Sequence, residues 1–182
     1  MITPRDILDF WFKEISPEQW FREDAALDAT IKTRFEDAWR EGRNGALATW
    51  EAEAEGALAL IVLLDQFPRN MFRGKGEAFS SDAAARGIAE RAITGGFDRQ
   101  VSPEAQHFFY LPLMHAEDIA TQERCVALTR ERLGEAHFSY PYALRHRDAI
   151  LKFGSFPARN QALGRQSTDE ELPFLAAVPS GF

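Results

Sequence analysis

The stretch WEAEAEGALALIVLLDQFPRN, Trp50 to Asn70, decides the fold. Its middle, Leu58 to Leu64, is an unbroken apolar run that fits a buried strand as well as a buried helix on periodicity alone. The residues before it, WEAEAEGA, are strong helix formers, and no alternating partner strand occurs elsewhere in the chain. A central buried helix over Glu51 to Gln66 is therefore predicted. No Asn-Gly or Asp-Gly pair lies between strand-like runs, and Asn44-Gly45 falls between helices instead. The chain reads as all-α, built from antiparallel helical hairpins.

Outward from this segment the helix punctuation repeats. Thr3-Pro4, Ser16-Pro17 and Ser102-Pro103 each pair an N-cap residue with a proline at the first helical position, where its missing N–H costs nothing. From Asp24 to Arg40 the apolar residues Leu27, Ile31, Phe35, Ala38 and Trp39 fall three to four apart, with Gly42 as the expected C-cap. Ser81 to Gly96 offers an N-cap, an alanine-rich body and a double-glycine stop. Further helices are predicted within Asp118 to Gly134 and from Tyr140 to Phe153. Thr168, ahead of Asp169, Glu170 and Glu171, reads as a capping box for the last helix.

The 182 residues suffice for one domain with a real core, so 1–182 is read as a single domain. A hydrophobic content of 45%, with 15 Phe and 4 Trp, suits a packed globule. The aromatic cluster Phe10, Trp11, Phe12, Trp20 and Phe21 is expected to lie mostly in the core. A net charge of −7 leaves no excess of cations for phosphate backbones, so nucleic acid is not an expected partner. The longest apolar run is too short to span a bilayer, and Arg5 and Asp6 at the start do not suit a signal peptide. A single cysteine, Cys125, excludes an internal disulfide and fits a reducing, cytoplasmic location. Nothing in the sequence indicates an oligomeric state.

Internal similarity is confined to two elbows. Phe67-Pro68-Arg69-Asn70 resembles Phe156-Pro157-Ala158-Arg159-Asn160, and Arg73 and Arg165 follow shortly after each. Proline disfavours the α conformation at the residue before it, so Pro68 and Pro157 are both expected to end a helix. Each elbow then presents a guanidinium and an amide beyond a core helix.

The remaining polar groups offer two kinds of chemistry. Asp65, read as lying at the C-terminal end of a buried helix, opposes the macrodipole and needs a cationic or hydrogen-bonding partner. Arg69, four residues on, is the nearest. The pair is either a structural lock or a site in which Asp65 acts as general base or orients a ligand. His115 follows Pro112, which is expected to kink or end its helix, and precedes Glu117 and Asp118. His115 and Asp118, three apart, are placed to share a helix face, whereas Glu117 diverges. His146 lines up with Tyr142, Ile150 and Phe153, which suits a hydrogen-bonded core residue. With no His-Glu-x-x-His spacing and no cysteine cluster, no metal or other cofactor is expected. No Gly-x-Ser-x-Gly, Walker loop or dinucleotide fingerprint occurs.

The strings LLDQFPRNMFRG, FFYLPLMHAED, HRDAILKFGSFPARNQALGR and STDEE resemble those of a bacterial family catalogued as domain of unknown function nine hundred and twenty-four. The similarity runs from ILDFWF to the C-terminal segment. It implies a tetratricopeptide-like, right-handed helical array and no settled activity. On these motifs it carries over Asp65, Gln66, Arg69 and Asn70, and also Arg159, Asn160 and Arg165. The chain departs from the family pattern at Ala116, Ser155 and Ala158, where Ser, Arg and His are usual, and the last two changes thin the second elbow.

The expected function is a helical-hairpin binding module whose concave side, lined by the two elbows and His115, holds a small anionic ligand or a peptide. Asp65, Gln66, Arg69, Asn70, Arg73, His115, Glu117, His146, Arg159, Asn160 and Arg165 are its candidate ligand-binding residues. The alternative is an enzyme in which Asp65 or His115 performs acid–base chemistry on an anionic substrate clamped by the same arginines.

Overall fold

Thr3 is the expected N-cap, and with Asp6 it closes a capping box, Thr3 N–H donating to the Asp6 carboxylate at 2.8 Å and Asp6 N–H to the Thr3 hydroxyl at 3.3 Å. They open helix α1, Pro4–Asp9, which runs directly into a π-helical stretch, Phe10–Glu14. The computed structural model describes residues 1–177, and among them there is no strand. The fold is all-α. The described chain divides into two compact units, one made of Met1–Arg73 and Glu77–Pro112, the other of Gly74–Gly76 and the residues from Leu113 on.

In the first unit, α2 (Ala25–Arg43) is capped by Asp24, whose carboxylate accepts from the N–H groups of Ala26 and Leu27 at 2.9 and 3.0 Å. Its buried stripe is Leu27, Ile31, Phe35, Ala38 and Trp39, as the spacing predicts. Gly42 is not its C-cap. It lies inside the helix, where an added Cβ would stand 3.4 Å from Leu64 and 3.5 Å from Leu47 and Leu63. The left-handed residue that lets the chain leave the helix is Gly45, at φ +81°.

The central helical run begins later and ends later than predicted. A 3-10 turn, Ala48–Ala52, precedes extended Glu53 and then α3, Ala54–Ile61. The turn folds back so closely on α3 that a Cβ at Gly56 would stand 2.1 Å from the Trp50 carbonyl oxygen, which requires glycine. From α3 the chain passes through a π-helical stretch, Val62–Gln66, into α4, Phe67–Met71.

Pro68 therefore sits within helical backbone rather than at its end, and Phe67 before it is αR at φ −59°, ψ −39°. The π-helical widening absorbs the ring: Phe67 N–H bonds five residues back, to Val62. Proline brings no N–H to the carbonyls a turn earlier, and other groups supply the donors. The Ser81 hydroxyl donates to the Leu64 carbonyl at 2.6 Å, and the Arg69 guanidinium donates to the Asp65 carbonyl at 2.5 Å. Ser81 precedes α5 (Asp82–Thr94) as predicted, but it makes no side-chain cap bond to that helix. Its oxygen instead receives the Trp39 indole N–H at 3.0 Å.

Short helices α6 (Pro103–Gln106) and α7 (Leu111–Met114) follow. Most of the N-terminal aromatics are core. Phe67 packs against Phe35, Trp11 and Phe10 with ring centroids 4.9, 5.5 and 5.9 Å apart, while Phe21 is exposed.

In the second unit, Asp118 caps α8 (Ile119–Arg132) by accepting from Thr121 N–H at 2.8 Å. Gly134, at φ +89°, turns the chain toward α9 (Ser139–Phe153), and α8 and α9 pack together as a hairpin. The last described helix, α10 (Glu171–Ala177), has the expected box: the Glu171 carboxylate accepts from Thr168 N–H at 2.7 Å, and Glu171 N–H donates to the Thr168 hydroxyl at 3.3 Å. Ala149, Ile150 and Phe156 form a buried cluster against which Phe153 and Phe174 pack. No helix among the described residues is long and apolar enough to cross a membrane.

Candidate functional site

The two elbows fall in different units, and their geometry differs. In the first, Arg69 lies between two carboxylates. It makes a two-pronged pair with Asp82, at 2.9 and 3.0 Å, and stands 3.4 Å from the Asp65 carboxylate. Asp65 is fully buried, and its carboxylate also accepts from the Gln66 amide at 2.5 Å. Burial works against the Arg69 charge, but Asp65 and Asp82 outweigh it and raise the guanidinium pKa. Asp65 is not at a helix end, so the macrodipole does not set its environment; Arg69 and Gln66 do.

The other two polar groups of this elbow reach back to α2. Asn70 donates to one Asp28 oxygen at 2.8 Å, and Arg73 grips both, at 2.8 and 2.9 Å. Asp65, Gln66, Arg69, Asn70 and Arg73 thus form networks that tie the helical run to α2 and α5. A groove of about 230 Å³ in the same unit is bordered by Arg43, Glu51 and Arg91, and none of the candidate residues lines it.

The second elbow matches its sequence reading. Gly154, at φ +74°, ends α9, Phe156 is extended at φ −88°, ψ 108°, and Pro157 opens a 3-10 turn, Pro157–Arg159. Gly154 therefore ends α9 before Pro157, which lies outside the helix and keeps Phe156 extended. Arg159 donates to the His115 carbonyl at 2.9 Å and lies over the Phe156 ring at 4.6 Å. Asn160 is buried and donates to the Ser167 hydroxyl at 3.2 Å and to the Glu171 carboxylate at 3.1 Å. Arg165 pairs with both Glu117 oxygens at 2.8 and 2.9 Å and also donates to the Phe156 carbonyl at 3.2 Å.

His115 and Asp118 do not share a helix face. Pro112 stands at the second position of the four-residue α7, where a proline is tolerated, and the chain is irregular from His115 until Asp118 caps α8. His115 comes instead to His146, ring centroids 6.1 Å apart, and His146 packs edge-on to Phe156 at 5.4 Å. His146 is buried, with Nδ1 2.8 Å from the Tyr142 carbonyl. A carbonyl only accepts, so Nδ1 carries the proton in that bond and Nε2 is the acceptor of the neutral ring. His115, His146, Phe156 and Arg159 form one cluster, two of whose members, His115 and Arg159, are half-buried.

Glu117 lies beside this cluster. Burial pushes its pKa up, but the Arg165 hydrogen bonds, the Phe156 N–H at 2.8 Å and the nearby Arg159 charge outweigh that and hold it below the usual carboxylate value. A carboxyl depressed by folding stabilises the folded state above its unfolded pKa, and that contribution is lost as pH falls through the folded value. Glu117→Gln should flatten the acid limb of stability plotted against pH while leaving the slope near neutrality unchanged. Urea midpoints from pH 7 down to pH 3 test this, and an unaltered acid limb would count against the pairing.

Three partners were not legible in the sequence. Asp28 and Asp82 lie far along the chain from the elbow they serve. Gln122 on α8 is fully buried and donates to the carbonyls of Met114 and Ala116 at 2.6 and 2.7 Å. Among the described residues no group of three or more His, Cys, Asp or Glu is placed to hold a metal ion. Cys125 is buried in α8, and burial pushes its thiol up to about 12, so it offers no thiolate at neutral pH.

The family described as bacterial protein of unknown function (DUF924) matches residues 7–178. A solved structure from Agrobacterium tumefaciens, of protein ATU0120 and likewise of unknown function, is similar at 43% sequence identity. It covers 96% of this chain and 97% of its own, with a TM-score of 0.90. No curated protein matches.

Proposed function

We propose that this chain, which belongs to the bacterial DUF924 family, is a binding module that holds a small anionic ligand at the second elbow. The observation that supports the reading is the gathering of His115, His146 and Arg159 beside Phe156 within one unit. A guanidinium beside two imidazoles, which add donors when they are protonated, suits a carboxylate or phosphate oxygen. At the first elbow Asp28, Asp65 and Asp82 grip both arginines side chain to side chain, and we read it as the lock.

The acid–base alternative keeps His115 as its candidate. Asp65 suits it less, since Gln66 and Arg69 already attend its carboxylate. The tetratricopeptide-like array and the cytoplasmic location expected from the sequence belong to this proposal; the α8–α9 hairpin and the buried cysteine agree with them.

Melting in rising inorganic phosphate and in rising acetate, at constant ionic strength, is the test. A ligand that binds the folded state alone stabilises it in proportion to ln(1 + [L]/Kd), about 2.7 kcal/mol at a hundredfold excess over Kd. The parent protein should show a saturable rise in Tm with at least one of the two anions, and Arg159→Met should abolish it. A flat Tm with both anions, or an equal rise in Arg159→Met, would overturn the reading.

A further inference from the structure

The groove of about 230 Å³ in the first unit joins an apolar floor to a cationic rim. Leu60 of α3 and Ile88 of α5 line it, and both are almost fully buried. Arg43, Glu51 and Arg91 line it too. Glu51 holds Arg91 through a single carboxylate oxygen, 2.8 Å from Nε and 2.7 Å from Nη2. The third guanidinium nitrogen, Nη1, lies instead beside Gly87 of the groove wall, 3.3 Å from where a Cβ would stand. Glycine inside a helix costs more than alanine, and the rest of α5 is alanine-rich, so a methyl group is missing just where it would crowd Nη1. Arg43 is exposed, with its guanidinium over the Trp39 ring at 5.4 Å and in no ion pair among the described residues.

Two guanidiniums against one carboxylate leave the rim with a net positive charge, which suits a monoanion. The volume lies below the roughly 300–1,000 Å³ of sites for drug-sized molecules, so the occupant is small. We propose that the groove binds a monocarboxylate with a short apolar body. Its carboxylate accepts from Arg43 and from Arg91 Nη1, and its apolar body covers Leu60 and Ile88. This site belongs to the first unit and does not rest on the reading of the second elbow.

Benzoate is the probe, compared with acetate, which lacks the ring, and benzyl alcohol, which lacks the charge. Calorimetry at constant ionic strength on full-length Arg159→Met, in which the second elbow contributes no anion binding, isolates the groove. Benzoate should bind there about tenfold tighter than either comparison compound, since each of those forfeits one of the two contacts. In the parent protein, Arg43→Met should weaken benzoate about tenfold. Gly87→Ala should melt no lower than the parent, because alanine favours the helix and only the flexible end of Arg91 must give way, yet it should weaken benzoate several-fold. That split separates a ligand role for Gly87 from a packing role. No benzoate binding, no preference over the comparison compounds, or parent-like affinity in Arg43→Met or Gly87→Ala would overturn the proposal. Benzoate binding that is lost in Arg159→Met and untouched by both groove variants would belong to the second elbow and leave that reading standing.

Discussion

Ser81→Ala is expected to destabilise the protein by about 3 kcal/mol, because the hydroxyl serves two buried groups at once. It donates to the Leu64 carbonyl at 2.6 Å and accepts the Trp39 indole N–H at 3.0 Å, and both Ser81 and Trp39 are almost fully buried. Removing one oxygen leaves a carbonyl and an indole N–H unpaired in a region with little access to water. The need for it traces to Pro68, which offers no N–H one turn after Leu64. Two backgrounds make this account testable by urea denaturation. Trp39→Phe removes the indole donor, so Ser81→Ala should then cost less. Pro68→Ala supplies a backbone N–H that can turn to Leu64, and Ser81→Ala should cost about 1 kcal/mol less there, the worth of one restored hydrogen bond. Undiminished cost in the Pro68→Ala background would mean that Ser81 is needed for another reason.

The same residues explain what could be read from the sequence. The α2 stripe, the N-cap at Thr3, the capping box at Thr168 and the double-glycine stop at Gly96 are local devices, governed by spacings of a few residues, and they occur where the sequence places them. Pro68 and Gly42 went differently because tertiary contacts overrode the local rule. The π-helical Val62–Gln66 stretch and the Ser81 hydroxyl accommodate the first. The second is a close-packing position against Leu63 and Leu64.

The candidate residues divide in a similar way. Their types were legible, since Arg and Asn after a core helix at each elbow are visible in the bare sequence. Their partners were not, because Asp28 meets Asn70 and Arg73 across 42 and 45 positions and nothing in the intervening residues encodes that register. Asp82 sits at the first position of α5, where an acidic residue already has a reason to stand, beside the helix N-terminus. Its second role, gripping Arg69, is therefore hidden behind its first. His115 and His146 were found individually but not as neighbours, because their approach depends on how the irregular stretch after α7 lies against α9.

Removing Arg69 should have an effect of similar size, and it decides whether the first elbow is a lock. Arg69→Met keeps the apolar stem and deletes the charge, leaving fully buried Asp65 and the mostly buried Asp82 without their shared cation and the Asp65 carbonyl without its donor. Breaking a buried pair from one side costs about 3–5 kcal/mol, chiefly through the carboxylate left behind. With the Arg69 side chain 22% exposed, the lower end of that range is expected. A comparison within the same unit calibrates the claim. Arg34 and Glu14 also form a two-pronged pair, but their side chains are 38% and 50% exposed, so Arg34→Met should cost under about 1 kcal/mol and depend on salt. The loss at Arg69 should persist in high salt. Asp82→Asn should soften it, since part of the unpaired charge is then gone, and the double mutant should fall short of the sum by about 1 kcal/mol or more. If Arg69→Met costs no more than Arg34→Met, the guanidinium is not what holds Asp65 in place, and the first elbow regains its claim to a ligand.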